Sequence, residues 1–171
     1  MPTARVSRRI AAPAEDIWEV VSDPHHLPRW WPRVERIEDV HDGAFTEVMR
    51  TRKGKTVRAD FELLSVDPGS RTICWEQIVE GTPFAAVLAS SETEVQLLPQ
   101  GAEAVTEVTI ELRQQMSGGR AVQPSESAGF GYPFRKRRFK VANLSWGSRL
   151  VRKAATETLG EALDGLERIS V

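Results

Sequence analysis

The chain has 171 residues, 40% of them apolar and 27% charged, and a formal net charge of −1. That is the make-up of one ordinary globular domain, expected to span residues 1–171. No run reaches the ~18 apolar residues of a membrane-spanning helix, and the single cysteine, Cys74, leaves no internal disulfide.

Residues 3–11 alternate, with Val6, Arg8 and Ile10 on one face, and read as a strand. Ala12-Pro13 stops it. Proline suits the first turn of a helix, where no N–H is needed, and Glu15, Asp16 and Glu19 lie near that helix's positive end. Ile17, Val20 and Val21 form one apolar face, and the helix ends near Ser22. Asp23-Pro24 repeats the start signal, and only a short second helix fits before Pro28 and Pro32. This segment holds the adjacent pair Trp30 and Trp31.

From residue 33 onward turn signals recur at Asp42-Gly43, Lys53-Gly54-Lys55, Asp67-Pro68-Gly69-Ser70, Glu80-Gly81-Thr82-Pro83 and Pro99-Gln100-Gly101. Strand-length runs lie between them: 33–41, 44–53, 55–66, 71–79, 84–98 and 102–115. Short connections between successive strands predict an antiparallel meander. Residues 116–133 are rich in glycine and proline and read as a long loop. The chain closes on a helix over roughly 136–169. Its apolar stripe runs through Leu144, Val151, Ala155, Thr158, Leu159, Ala162, Leu166 and Ile169. Gly147, Gly160 and Gly165 interrupt it, each at a cost of about 1 kcal/mol relative to alanine. Close approach to a neighbour, or room for a ligand, would account for them.

The predicted fold class is α+β. A seven-stranded antiparallel sheet must cover its apolar face, and only the C-terminal helix is long enough to do so. The sheet is expected to curl around that helix, and a gap between such layers suits a small apolar ligand.

The run RVSRRIAAPAEDIWEVVSDPHHLPRWWPRVERI then resembles the opening of the START-like (SRPBCC) superfamily, in its polyketide cyclase/dehydrase and lipid-transport branch. The matching positions are Ile10, Ala12-Pro13, Ile17-Trp18, Asp23-Pro24 and Trp31-Pro32. Pro68 through Trp75 is similar to the family's turn-strand-Trp segment, and Gly101 with Thr106 to its Gly-Thr strand start. The resemblance implies the helix-grip fold. It also implies either binding and transport of a small hydrophobic molecule or a polyketide aromatase/cyclase or dehydratase activity. The 116–133 loop is longer than is usual in that family.

Strand parity puts Met49, Phe61, Trp75, Val108 and Ile110 on the inner face, as core or as cavity wall. With Trp31 at the rim and Val151 on the helix, these seven are the expected ligand-binding residues. The same parity turns Arg8, Glu47, Gln77 and Gln114 inward. A buried unpaired charge is costly, so such groups pair or face a wet cavity. Glu47 and Arg8 are the candidates for acid–base work, although no spaced carboxylate dyad is present.

Other chemistry has little support. There is no Gly-X-Ser-X-Gly, Gly-X-Gly-X-X-Gly or Walker-type loop. His25, His26 and His41 with Cys74 make a poor metal set. No cofactor and no metal are expected. The lone cysteine and the absence of an apolar N-terminal leader point to the cytoplasm.

The net charge conceals an asymmetry. Residues 135–153 carry Arg135, Lys136, Arg137, Arg138, Lys140, Arg149, Arg152 and Lys153 and no acid, in an otherwise acidic chain. With no accompanying recognition motif, nucleic acid is an unlikely partner. A solvated face, a membrane surface and an acidic protein such as an acyl carrier protein are the other readings. A partner-binding module using 135–153 is the third functional class.

Overall fold

The computed structural model describes residues 3–101, 104–117 and 144–171, with side chains of the last segment described from residue 149 onward. The first strand, β1 (Ala4–Ile10), leads into α1 (Ala14–Val21), with Pro13 in extended conformation at the N-cap. Ala14, Ile17 and Val21 are buried, so α1 docks by the face its spacing marks out. The Asp23 carboxylate accepts from the His25 backbone N–H at 2.9 Å and caps a single 3-10 turn. The short helix α2 (Leu27–Trp30) follows.

Six strands then meander: β2 (Val34–His41), β3 (Ala44–Arg50), β4 (Thr56–Asp67), β5 (Thr72–Gln77), β6 (Leu88–Pro99) and β7 (Thr106–Met116). Asp42 and Gly43, between β2 and β3, both have positive φ, +46° and +83°. That is the turn an Asp-Gly pair favours in a two-residue hairpin, because its twist matches that of the strands. The sheet order is β1-β7-β6-β5-β4-β3-β2, antiparallel throughout. β1 joins the edge of β7 after the meander is complete, and the Thr106 hydroxyl donates to the Ala12 carbonyl at 2.8 Å where the two ends meet. The run expected as a strand over 84–98 instead begins with a 3-10 turn at Pro83–Ala86, capped by the Thr82 hydroxyl.

The terminal helix α3 (Leu144–Ser170) lies against β1, β7 and α2. Leu159, Ala162, Leu163 and Leu166 are fully buried on the sheet. Each such leucine contributes about 1.5–3 kcal/mol by leaving water. The architecture is the helix-grip arrangement: one curled antiparallel sheet holding one long helix, with α1 and α2 filling its side. The first part of the helix expected over 136–169, up to residue 143, most of the 116–133 loop, and Arg135, Lys136, Arg137, Arg138 and Lys140 lie outside the described residues. No helix among the described residues is long and apolar enough to cross a membrane.

Candidate functional site

The inner face of the sheet changes character along its strands. β6 presents Leu97, Val95, Thr93 and Ser91 in turn, and β7 presents Val108, Ile110, Leu112 and Gln114 opposite them. On β5, Ile73 gives way to Trp75, which pairs with Thr93. One end is therefore a closed aliphatic core, and the other carries hydroxyls and amides. α3 follows the same gradient. Its second half supplies Leu159, Leu163 and Leu166 to the closed end, while Val151, Ala154, Ala155 and Thr158 stand over the polar end. Small side chains there cannot fill the space above the sheet.

The result is a recess of about 390 Å³ between sheet and helix. Its walls are Trp31, Met49, Phe61, Trp75, Leu112 and Val151, with Glu47, Gln77, Ser91, Thr93 and Gln114 among them. Trp31 meets Trp75 edge-on at 6.0 Å between ring centroids, and Trp30 meets Trp31 edge-on at 5.3 Å. The adjacent tryptophans divide: Trp30 is 2% exposed in the core, and Trp31 borders the recess. Phe61 stacks on Phe45 at 5.4 Å, which fixes the plane of one wall.

Glu47 is the dominant electrostatic feature. It lies in mid-β3 opposite Ala59, is 2% exposed, and borders the recess. Among the described residues it has neither a hydrogen-bond partner nor a counter-ion. Burial alone pushes its carboxyl up to about 8, because a carboxylate loses its hydration there. At neutral pH it is mainly the protonated acid, a hydrogen-bond donor. Two strands away, the Gln77 Nε2 is buried with no partner among the described residues. Gln114 donates its Nε2 to the Ser91 hydroxyl at 3.3 Å. Arg33, exposed at the rim with φ +66°, donates to the Thr158 hydroxyl at 3.4 Å.

Five of the seven expected ligand-binding residues, Trp31, Met49, Phe61, Trp75 and Val151, come together around this recess. Val108 and Ile110 do not border it. Both are fully buried, further along β7 toward the closed end, with Leu97 and Val95 opposite. Their parity is inward, but depth along the strand decides between core and wall. Arg8 is also displaced from its expected place. It sits on β1, at the sheet edge under the end of α3, where it pairs with Asp164 and, at 3.3 Å, with Glu167. Two helix carboxylates neutralise it, so it does not share the site with Glu47. Ser91, Thr93, Leu112, Arg33 and Ala154 also line the recess without having been expected there, and Ala155 and Thr158 were expected on the helix stripe but not as site residues. The alternation Ser91, Thr93, Val95, Leu97 carried a signal for the first two, but neutral hydroxyls do not announce themselves as a site.

Comparison with known proteins places this geometry. The family described as polyketide cyclase / dehydrase and lipid transport matches residues 1–168. A START superfamily protein from Mycobacterium smegmatis has a similar structure, with a TM-score of 0.65 at 16% identity, over 97% of this chain and 94% of that one. The Zhui aromatase/cyclase from a Streptomyces species gives a TM-score of 0.65 at 16% identity, over 97% of this chain and 91% of that one. A conserved protein from Geobacillus kaustophilus gives 0.65 at 13% identity, covering 96% and 91%. At such identities these structures show a shared fold alone. No curated protein matches the chain by sequence. The family match spans nearly the whole chain and agrees with the sheet order and the terminal helix, and so the chain belongs to the polyketide cyclase/dehydrase and lipid-transport family of START-like proteins.

Proposed function

We propose that this protein binds a small, largely apolar molecule in the recess between its sheet and α3. The observation that carries the reading is the recess itself. Its volume of about 390 Å³ is in the range of small-molecule sites, and aromatic and aliphatic walls enclose a few polar groups. An unfilled interior costs packing energy, so a gap lined by Trp31, Trp75, Phe61 and Met49 makes physical sense if something occupies it. Native mass spectrometry of the protein purified from its own host tests this. A co-purifying molecule displaced by Ala154→Trp, which projects an indole into the recess, is the expected result. A bare mass, with no small hydrophobic probe retained in equilibrium dialysis, would sink the reading.

A second reading is favoured by Glu47. A buried carboxyl that gains and loses its proton near neutral pH suits general acid–base chemistry. In an aromatase/cyclase or dehydratase it would shuttle a proton while the walls hold a flexible poly-ketone in a bent, reactive conformation. Loss of turnover in Glu47→Gln with retained binding distinguishes this from simple carriage. An acyl carrier protein as the donor of such a substrate belongs to this second reading. For it, the exposed Arg149, Arg152 and Lys153 at the start of α3 offer basic contacts.

A further inference from the structure

The recess is poor in charge. Apart from Arg33 at the rim, Glu47 is the one ionisable side chain lining it among the described residues. Its neighbours across the pairing are Ile37 on β2 and Ala59 on β4, neither of which can neutralise a carboxylate. From α3 it is faced by Val151, Ala154, Ala155 and Thr158, also uncharged. Gln77 stands on β5, two strands from Glu47 and on the same side of the recess, opposite Phe61 of β4, whereas Glu47 lies opposite Ala59, two residues further along that strand. At about 4.8 Å per strand and about 3.3 Å per residue along it, their backbones are roughly 12 Å apart. Two groups with unused donors border this recess: a carboxylic O–H that is more than nine-tenths buried, and an amide N–H that has no acceptor among the described residues. A buried donor without an acceptor costs about 1–3 kcal/mol, and each is relieved by an oxygen that enters with a ligand.

We infer that Glu47 and Gln77 form a neutral anchoring pair, so that the ligand is an uncharged molecule presenting carbonyl-type oxygen acceptors inside the recess, and that a ligand with a carboxylate at the same position is rejected. The inference rests on the ligand-binding reading above. A carboxylate brought against Glu47 would have to keep that acid protonated, and among the described residues it would find no cation in the recess nearer than Arg33 at the rim. Ketone, ester or lactone oxygens accept from such donors without bringing a charge out of water. A hydrocarbon of the same shape would leave both donors unsatisfied. Sites built around hydrogen bonds discriminate strongly against analogues that lack the partner.

Equilibrium dialysis with three matched probes tests the idea: 1-acetylnaphthalene, 1-ethylnaphthalene and 1-naphthoate, at pH 6.5 and pH 9.5. At pH 6.5 the ketone is expected to bind at least tenfold more tightly than either of the others. At pH 9.5, with Glu47 ionised, its advantage should shrink severalfold. Glu47→Gln keeps a donor in the same volume, so it should retain the preference and lose its pH dependence. Gln77→Met keeps the bulk and removes the donor, so it should narrow the preference at both pH values. Equal binding of all three, or tightest binding of the naphthoate, overturns the inference and leaves the ligand-binding reading standing. Failure of all three to bind overturns both.

Discussion

Gly165 of α3 meets the backbone of Trp30 in α2 so closely that a Cβ at this position would lie 2.3 Å from the Trp30 carbonyl oxygen and 2.8 Å from its Cα. The glycine lets α2 dock on α3, and that docking holds Trp30 in the core and puts Trp31 at the recess. Gly160, one and a half turns earlier, has nothing within 4 Å of the same constructed atom. The two glycines should therefore respond in opposite ways. Gly165→Ala should destabilise the fold by about 2 kcal/mol or more, since backbone cannot retreat as a side chain can. Gly160→Ala should stabilise it by about 0.5–1 kcal/mol through helix propensity and unfolded-state entropy. Urea denaturation of both variants measures the contrast, and equal effects would refute the packing account.

The buried acid should make stability depend on pH in an unusual direction. Glu47 holds its proton up to about 8 in the folded chain, against 4.5 for an unperturbed glutamate. Between those values the folded state keeps a proton that the unfolded state releases. Stability from this group is therefore greatest below pH 4.5, falls as pH rises toward 8, and levels off above. Glu47→Gln removes the effect. We expect the variant to gain at least about 2 kcal/mol over wild type at pH 8 and little at pH 5. Parallel urea midpoints for the two proteins across that range would contradict the assignment.

Adjacent tryptophans should give different phenotypes. Trp30→Ala empties a fully buried site and should cost about 3–5 kcal/mol. Trp31→Ala removes a half-buried wall of the recess, so it should cost about half as much while weakening probe binding tenfold or more. Paired thermal melts and dialysis on both variants separate packing from binding.

Arg8 offers a negative control. Its partners Asp164 and Glu167 are 66% and 48% exposed in their side chains, so the pairs are screened. Arg8→Ala should cost no more than about 1 kcal/mol and leave probe affinity unchanged. A large loss of binding would return Arg8 to the site.

Filling the recess is the most direct probe of its role. Ala154 borders it from an exposed helix position. Ala154→Trp should reduce binding of the acetylnaphthalene probe at least tenfold, with stability within about 0.5 kcal/mol of wild type. Unchanged binding would place the probe elsewhere.

Local signals in the chain account for most of the fold. Pro13 opens α1, Asp42-Gly43 turns β2 into β3, and period-2 alternation marks the strands, because each depends on neighbouring residues alone. Inward parity was legible in the same way for Glu47, Gln77 and Gln114, and Ile17-Trp18 with Trp31-Pro32 carried the family resemblance.

Depth was not legible. Val108, Ile110 and Leu112 share one parity on β7, yet only Leu112 reaches the recess, because α3 lays leucines over the first two and small residues beyond. Nor could parity say that Arg8 meets Asp164, some 156 positions away, or that Gly165 answers to Trp30. The net charge of −1 and the residue count bounded the size and class of the domain, and the sequence by itself determined which segments become strands and which faces turn inward. Only the tertiary structure decided where the helix stops filling the sheet. That boundary depends on side-chain volumes brought together from opposite ends of the chain, and it is what sets Glu47 and Gln77 beside an open space instead of within a closed core.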